Sequence, residues 1–565
     1  MEEKEPLLTS DHPRGGNKLL SRQTSSDQSI SSDEEIDALL TDSPRNDFTG
    51  TLVFAIASCI LGSSFMVGYN TGVLNAPAEV MKSFYNCTYY LRHGSSQTMD
   101  VCLSQLNSSS SNQTSESEPG TYMTQSQMTF LWGMTVAAFA FGGTFGGVSA
   151  GYFTNKFGRR GALLRNNVLH LIAAAILVAS RYVKSYEMLI AGRFLVGVSA
   201  GVCTGAAPLY LSEIAPTSLR GFAGTFNQLA ITSGVLAAEV LGLKFLLGTS
   251  DYWHILLGLT CAAIVWQVLT LSWCPETPRY LMINQNNEEE AEKALVWLRG
   301  RMDVSEELED MKSEMENTKG TQKFSVLDLL RNKALLTPLI ISVVLQMSQQ
   351  FSGINAVIYY STDIFKKAGL SSSTAQYATI ATGGVNVAMT FVSALIMDKA
   401  GRRTLHLTGL GGMFIFSLIL VLSYVFQEKV SWLRYVCVGT VLCYIISFAT
   451  GPGAIPWFIV AELFSQGPRT AAVSVATLVN WLCNFTVGIV VPELQDFLGK
   501  FFFLPFTVML LLFWIFTFIK VPETKGKTIE EITAIFDDSI SKRAVAINKD
   551  TDQKYKRLND SASES

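Results

Sequence analysis

Twelve long stretches of this chain are apolar and contain no Asp, Glu, Lys or Arg. A helix needs roughly 20 apolar residues to cross about 30 Å of hydrocarbon, and eleven of the stretches are about that long or longer. The third is shorter, but Arg165 and Arg181 at its ends can reach the membrane interface. The chain is therefore predicted to be an all-α membrane protein with twelve transmembrane helices. The stretches lie at residues 48–78, 119–155, 166–180, 194–212, 221–238, 252–275, 334–362, 368–397, 404–427, 435–461, 470–492 and 501–519.

The composition excludes several classes of function. Charged residues make up 16% of the chain and its formal net charge is −4, so it has no basic field that would attract nucleic acid. The segment Gly147–Gly151 has the spacing of a hydrolase nucleophile elbow, but it lies inside an apolar stretch with no strand before it. The chain has no P-loop, and its scattered histidines predict no metal site. We therefore predict neither an enzyme nor a cofactor. The histidines are His12, His93, His170, His254 and His406.

Basic residues distinguish the two sides of the predicted membrane. Cations cluster after the second and eighth apolar stretches, whereas residues 83–118, after the first, contain only Arg92. No signal peptide precedes the first stretch, and residues 1–47 are polar and rich in Ser. We therefore predict a disordered cytoplasmic tail at 1–47, both termini in the cytoplasm and residues 83–118 outside. The clustered cations are Lys156, Arg159, Arg160, Lys399, Arg402 and Arg403.

The predicted outside loop carries signs of modification. Asn86, Asn107 and Asn112 each begin an Asn-X-Ser/Thr triplet, the acceptor pattern for N-glycosylation. Cys87 and Cys102 are the two cysteines in this loop. They either pair as a disulfide or remain two free thiols, and the sequence leaves that choice open.

An internal repeat divides the predicted helices into two sets of six. Two halves in the same orientation form a parallel repeat, which is the construction of major facilitator transporters. The predicted halves are residues 48–275 and 334–521, and a cytoplasmic tail follows at 522–565. The charged linker at 276–333 indicates short amphipathic cytoplasmic helices or, alternatively, a solvated connection. The repeated elements are Gly158-Arg159-Arg160 with Gly401-Arg402-Arg403, Pro275-Glu276-Thr277 with Pro522-Glu523-Thr524, and Glu213 and Arg220 with Glu462 and Arg469.

The repeated charges lie at the predicted cytoplasmic ends of the helices. Acids beside cations in both halves favour an ion-pair network, with Glu213 paired to Arg220 and Glu462 paired to Arg469. Such a network would join the halves while the pore faces outward. Simple anchoring by positive charge is the alternative. The candidate gate residues are Arg159, Arg160, Glu213, Arg220, Arg402, Arg403, Glu462 and Arg469.

Side-chain amides inside the apolar stretches are candidate substrate ligands. An amide in hydrocarbon is costly unless it is hydrogen-bonded, and amides both donate and accept, as the hydroxyls of a polyol require. Gly353 could unwind the seventh helix and turn its amides inward, and Trp457 follows a predicted helix break at Gly451–Pro456. Adhesion between helices is the alternative role. The amides are Gln228, Gln346, Gln349, Gln350, Asn355, Asn386, Asn480 and Asn484.

Several motifs resemble those of the facilitative glucose transporters. The resemblance extends over about residues 48–530 and implies the major facilitator fold, a hexose substrate and sugar contacts at Gln228, Gln349, Gln350, Asn355, Asn386, Trp457 and Asn484, with Asn480 adjacent. The segment Gln346-Met-Ser348 is similar to that of glucose-preferring members. Ala449 and Ala454 stand where relatives usually carry Glu and Pro. The motifs are Gln349-Gln-Phe-Ser-Gly-Ile-Asn-Ala-Val-Ile-Tyr-Tyr-Ser361, Gly192-Arg-Phe194, Pro275-Glu-Thr-Pro-Arg279, Gly451-Pro-Gly-Ala-Ile-Pro-Trp457, Ala461-Glu-Leu-Phe-Ser-Gln-Gly-Pro-Arg469 and Val521-Pro-Glu-Thr-Lys-Gly526.

The resemblance also bears on energy coupling. Proton-coupled relatives carry an Asp where this chain has Asn70, and an Asn cannot titrate, so we predict passive uniport. Arg193 is the expected neighbour of Asn70, because both lie at a similar depth. Glu239, an acid in the outer half of the predicted fifth helix, is the residue that would support proton symport. We expect it instead at the outer interface, wetted by solvent or near Lys244. A non-transporting nutrient sensor is the other alternative.

The 1–47 tail contains two possible sorting signals. Leu7-Leu8 and Leu39-Leu40 each follow an acid at the spacing that sorting adaptors bind. These pairs predict a plasma-membrane protein with an endosomal pool.

Overall fold

The computed structural model describes residues 48–93, 98–99, 101–103, 122–319, 325–430, 432–464, 466–525, 527 and 529–536. These residues fold into helices joined by turns, without a strand in any of these ranges. The sorting pairs Leu7-Leu8 and Leu39-Leu40 and the triplets at Asn107 and Asn112 lie outside the described residues. The helices confirm the predicted all-α membrane fold.

A helix lies at each of the six apolar stretches of the N-terminal half. Span one has three consecutive segments, with a π-helical turn at its centre. Span six is divided near Leu259. The helices are span one at Gly50–Cys59, Ile60–Ser64 and Phe65–Gly72, span two at Gln125–Phe157, span three at Arg159–Val183, span four at Tyr186–Ile214, span five at Arg220–Leu241, and span six at Trp253–Gly258 and Thr260–Leu271.

The C-terminal half has the corresponding six helices. Spans seven and ten are both broken near the middle, which becomes important for the candidate site. The helices are span seven at Lys333–Phe351 and Ile354–Lys367, span eight at Ser372–Ala400, span nine at Arg402–Phe426, span ten at Leu433–Thr450 and Ile455–Leu463, span eleven at Gln466–Leu498, and span twelve at Leu504–Lys520.

Shorter helices lie at the two ends of this bundle. Ala78–Arg92 follows span one, and we call its side of the bundle the loop end. The opposite side, which carries the segment between spans six and seven, is the linker end. The remaining elements are Thr217–Leu219, Tyr280–Asn284, Glu288–Arg299, Ser305–Lys319, Val326–Arg331, Gly499–Phe501 and Ile529–Phe536.

The linker helix Glu288–Arg299 is amphipathic and attached to the spans. Asn287 caps its first turn, where acidic side chains favour the positive end of the helix dipole. Its apolar side chains, such as Leu295 and Leu298, are buried. Arg299 donates to the carbonyl oxygen of Ile214 at 2.9 Å. Thr49 donates to the carbonyl oxygen of Leu298 at 2.6 Å. The linker therefore packs beneath the N-terminal half.

Glycines set the separation of several spans. A Cβ added to Gly68 in span one would lie 1.8 Å from the carbonyl oxygen of Ile231 in span five, and one added to Gly146 would lie 2.0 Å from that of Val198. The two backbones are so close at these positions that only glycine, which has a hydrogen atom as its side chain, fits there.

Candidate functional site

Span seven is broken at Gly353. This residue has φ of +90°, a left-handed conformation that glycine adopts without steric cost, and the helix that ends at Phe351 restarts at Ile354. Tyr444 of span ten donates a hydrogen bond to the carbonyl oxygen of Ser352, within the break. The break turns the amides on either side of it toward spans ten and eleven.

Span ten is broken at the Gly-Pro motif, and amides of span seven donate to carbonyl groups in the break and just after it. Gln349 Nε2 donates to the carbonyl oxygens of Pro452 and Gly453, at 3.2 and 2.6 Å. Gln346 Nε2 donates to that of Pro456 at 3.1 Å. The break persists with Ala454 in place of the Pro that relatives usually carry.

Asn480 of span eleven lies at the centre of a buried amide cluster. Its Nδ2 donates to Oε1 of Gln346 and Oε1 of Gln349, at 2.7 Å in each case. Its Oδ1 accepts from Gln350 Nε2 at 3.1 Å, and Gln350 Oε1 accepts from Asn355 Nδ2. All five residues are buried. The amide cluster, defined as these five residues, is one continuous network of neutral donors and acceptors.

The other predicted ligands lie outside this network. Asn484 Oδ1 accepts from the hydroxyl of Tyr359 at 2.8 Å. Asn386 of span eight is buried and Gln228 of span five is half-buried, and neither side chain bonds to the amide cluster among the described residues. Trp457 is half-buried just after the break in span ten. Tyr359 is a residue that the sequence analysis did not single out, because an aromatic side chain at this position also suits helix packing.

Asn70 and Arg193 are in contact, as their predicted depths suggested, but Arg193 bonds to the main chain of Asn70 and not to its side chain. Arg193 is fully buried, and its Nη1 donates to the main-chain oxygen of Asn70 at 2.9 Å. Its guanidinium lies 4.7 Å from the ring centre of Phe139. The Asn70 side chain donates to Thr260 at 2.9 Å, and Thr260 in turn contacts His170 at 2.9 Å. Within the described ranges, no carboxylate forms an ion pair with Arg193.

Glu239 is not at a wetted interface, so that expectation is wrong. It is 2% exposed, and its Oε2 has no hydrogen-bond partner in the described part of the chain. A Cβ added to Gly383 of span eight would lie 2.3 Å from this oxygen, so the glycine lets span eight cover the acid. Lys244 bonds instead to Glu79 and Ser372, at 3.4 and 3.0 Å.

The candidate gate residues at the linker end form two matching networks, one within each half. Arg159 Nη2 contacts Glu213 at 2.7 Å, and Arg402 Nε contacts Glu462 at 3.1 Å. The hydroxyls of Thr277 and Thr524 donate to the same two glutamates, at 2.5 Å each. These two ion pairs tie helices together within a half, and neither one joins the halves. The matching geometry reflects the internal repeat.

The prediction that Glu213 pairs with Arg220 and Glu462 with Arg469 is wrong. Arg469 donates to the carbonyl oxygen of Phe464, at 3.0 and 3.1 Å, and so caps the end of span ten. Arg220 Nε has no partner among the described residues. Arg160 and Arg403 bond to main-chain carbonyls at the ends of spans six and twelve. The glutamates pair with the Gly-Arg-Arg turns because spans three and nine begin beside the ends of spans four and ten.

Contacts at the loop end do join the halves. Asn75 donates to the carbonyl oxygen of Ile358 and to the hydroxyl of Ser361, at 2.8 and 2.7 Å. Ion pairs from both halves accompany this contact. We call these ion pairs the loop-end latch. Lys82 with Asp363 at 3.1 Å and Lys366 with Glu79 at 2.5 Å join the halves, and Lys244 with Glu79 at 3.4 Å lies within the N-terminal half.

The surroundings of Glu79 in the latch favour its charged form. Burial raises the pKa of the Glu79 carboxyl, but hydrogen bonding and attraction from Lys366 and Lys244 outweigh it, and the pKa lies below its ordinary value. The latch is not predictable from a single sequence, because its members lie far apart in the chain.

Cys87 and Cys102 form a disulfide, which answers the choice left open by the sequence. It ties residues 101–103 to the helix Ala78–Arg92. Asn86, beside this bond, is half-buried, and Thr88 of the same triplet is buried.

The chain is similar to known sugar transporters along most of its length. A family model described as "Sugar (and other) transporter" matches residues 55–536. The chain is also similar to mammalian proteins described as solute carrier family 2, facilitated glucose transporter member 3. The Ovis aries protein is 44% identical over 492 residues, which are 87% of this chain and 94% of that protein. The Homo sapiens protein is 44% identical over 489 residues, or 86% and 93% of the two chains.

Solved structures with the same fold include a bacterial transporter. The partially occluded, inward-open form of the xylose transporter XylE from E. coli superimposes with a TM-score of 0.67 at 24% identity. The match spans 85% of this chain and 100% of that one. The likeness confirms the major facilitator fold predicted from the internal repeat.

Proposed function

Because this chain belongs to the sugar transporter family, we propose that it is a facilitative hexose uniporter that carries glucose by alternating access. The observation that carries this proposal is the amide cluster. Its five side chains are neutral, buried and able to donate and accept hydrogen bonds, which matches the hydroxyl groups of a hexose. The similar facilitated glucose transporters favour glucose as the hexose.

Passive transport is supported by the surroundings of Arg193. The guanidinium bonds to a main-chain oxygen, which cannot gain or lose a proton during the cycle. A carboxylate at position 70 would provide a titrating partner, but Asn70 does not. Glu239 packs against Gly383, away from this contact, and we assign it no role in coupling.

We propose that the loop end faces the outside and that both termini are cytoplasmic. The contacts that close the loop end then make this an inward-facing conformation, like that named for the similar XylE structure. In this orientation Asn86, Asn107 and Asn112 are glycosylation sites, and Leu7-Leu8 and Leu39-Leu40 meet sorting adaptors at the plasma membrane. The ion pairs at Glu213 and Glu462 hold each half rigid as the pore opens and closes.

Uptake by liposomes containing the purified protein tests the uniport. We expect saturable entry of labelled D-glucose that stops when concentrations are equal on both sides, with unlabelled D-glucose competing better than D-fructose and with L-glucose as the inactive control. A pH-sensitive dye inside the liposomes should show no sugar-driven proton entry. Acidification that is lost in Glu239→Gln would make the protein a symporter, and absence of any uptake would favour a sensor.

The loop-end latch predicts an effect of charge on conformation. Lys366→Glu should open the loop end and lower the KM for uptake from outside by up to about fivefold, because a partly exposed ion pair contributes about 0.2–1 kcal/mol. The double variant Glu79→Lys/Lys366→Glu should recover part of the wild-type KM, since it re-forms this pair with reversed charges but places a lysine opposite Lys244. Lys293→Glu, which alters an exposed pair of the linker, is the matched control. Equal KM values for the single and double variants would contradict the latch.

A further inference from the structure

Asn480 differs from the other amides of the cluster in how its hydrogen-bonding groups are used. A primary amide has two hydrogens to donate, and both hydrogens of Asn480 are directed at glutamine oxygens, 2.7 Å from Gln346 and 2.7 Å from Gln349. Its oxygen accepts from Gln350. The residue is 4% exposed. Asn480 therefore has no free donor with which to bind a sugar hydroxyl.

The partners of Asn480 extend its influence to span ten. Gln346 and Gln349, which Asn480 holds by their oxygens, donate through their nitrogens to the carbonyls of Pro456, Pro452 and Gly453. The amide of Asn480 is thus one residue away from the carbonyls of Pro452 and Gly453 in the break and of Pro456 just after it. A change at Asn480 reaches both the glutamines and the break.

Span eleven also connects Asn480 to the other half of the protein. The next residue, Trp481, lies against span two, where a Cβ on Gly143 would be 2.3 Å from its ring. The position of Asn480 is therefore set by packing between the two halves, while its side chain sets the positions of the glutamines.

Asn484, one helical turn further along span eleven, provides a contrast. Its Oδ1 accepts from Tyr359, but its Nδ2 has no hydrogen-bond partner among the described residues. Asn484 keeps two donor hydrogens for a ligand. Two asparagines on one face of one helix therefore have different bonding states.

We propose that Asn480 is a positioning residue and not a sugar contact. It fixes the side-chain rotamers of Gln346, Gln349 and Gln350 before the substrate arrives, so that a sugar meets ordered amides. A hydroxyl that takes the Gln349 oxygen displaces Asn480 from it, which loosens the restraint on the break in span ten. This inference rests on the proposed function, since it concerns how that same site binds its hexose.

A series of singly deoxygenated glucoses distinguishes positioning from contact. The inhibition constant of each sugar is measured against labelled D-glucose uptake in liposomes that contain wild type, Asn480→Ala or Asn484→Ala. For Asn480→Ala we expect the affinity for every sugar in the series to fall by the same factor, about tenfold. For Asn484→Ala we expect one deoxy sugar, the one that lacks the hydroxyl bound by Asn484, to retain its wild-type affinity.

A double variant tests the route through the glutamines. Asn480→Ala combined with Gln346→Ala should lose no more affinity than the more damaging single variant, because both changes disable the same connection. Asn480→Asp serves as a second variant if the alanine form does not fold, since it keeps the shape and the acceptor for Gln350 but removes both donors. It should show the same uniform loss of affinity.

Two results would overturn the proposal. One is a single deoxy sugar whose affinity is unchanged by Asn480→Ala, or by Asn480→Asp, which would make Asn480 a direct contact. The other is additive losses in the double variant. If wild-type liposomes take up no hexose, the proposed function fails first, so the two failures are distinguishable.

Discussion

Replacing Gln349 by alanine is expected to reduce the initial rate of hexose uptake at least about tenfold. Gln349 Nε2 satisfies two carbonyls of the break in span ten, and its oxygen accepts from Asn480. The substitution removes a predicted sugar contact and also leaves those carbonyls buried without a donor. An unsatisfied buried group costs about 1–3 kcal/mol, and 1.4 kcal/mol corresponds to a tenfold change in an equilibrium constant.

The measurement is uptake of labelled D-glucose per amount of reconstituted protein. Gln427→Ala is the matched control, because the Gln427 amide bonds to a main-chain oxygen at the exposed loop end, away from the amide cluster. We expect its uptake to stay within about twofold of wild type. Unchanged uptake in Gln349→Ala, at equal reconstitution, would remove this residue from the binding site.

Replacing Gly68 by alanine should prevent the protein from folding stably. The added Cβ would lie 1.8 Å from the carbonyl oxygen of Ile231, and a backbone atom inside a packed pair of helices cannot move aside as a side chain can. Spans one and five would have to separate, which would also disturb Asn70 at the neighbouring turn. Overpacking of a core typically costs about 1–3 kcal/mol, and this contact is with backbone, so we expect a larger loss.

Gly151→Ala is the matched control for this second prediction. It makes the same chemical change inside span two, at a glycine with no atom within 4 Å of the added Cβ. Because alanine favours a helix over glycine by about 0.5–1 kcal/mol, this variant should be as stable as wild type or more so. The readouts are the fraction of monodisperse protein in detergent and its thermal midpoint. If the Gly68→Ala protein had the same thermal midpoint as the Gly151→Ala protein, the packing argument would be refuted.

The broken spans illustrate what could be predicted from sequence. Gly353 between two amides predicted an unwound span seven, and the Gly-Pro motif at 451–456 predicted a break in span ten. Both breaks are present, because glycine and proline act on the backbone locally. Which amide satisfies which carbonyl was not predictable, since the bond from Gln349 to Gly453 joins residues about a hundred positions apart.

Charged side chains were predicted less well than apolar ones. Glu239 was expected to be wetted, yet span eight covers it at Gly383. Glu213 was paired in sequence with Arg220, yet it bonds to Arg159. A charged side chain is long and its partner depends on which helices are neighbours, so nearness in sequence is a poor guide to its ion pair.

The sequence by itself determined the twelve helices, their grouping into two halves and the presence of amides inside the membrane. Those features depend on hydrophobic length, on repeated motifs and on residue type, all of which are local properties of the chain. Tertiary structure alone decided that Asn480 bonds to three glutamines, that Glu79 and Lys366 close the loop end, and that Cys87 pairs with Cys102. These contacts exist because helix packing brings distant segments together, and packing is a property of the folded chain as a whole.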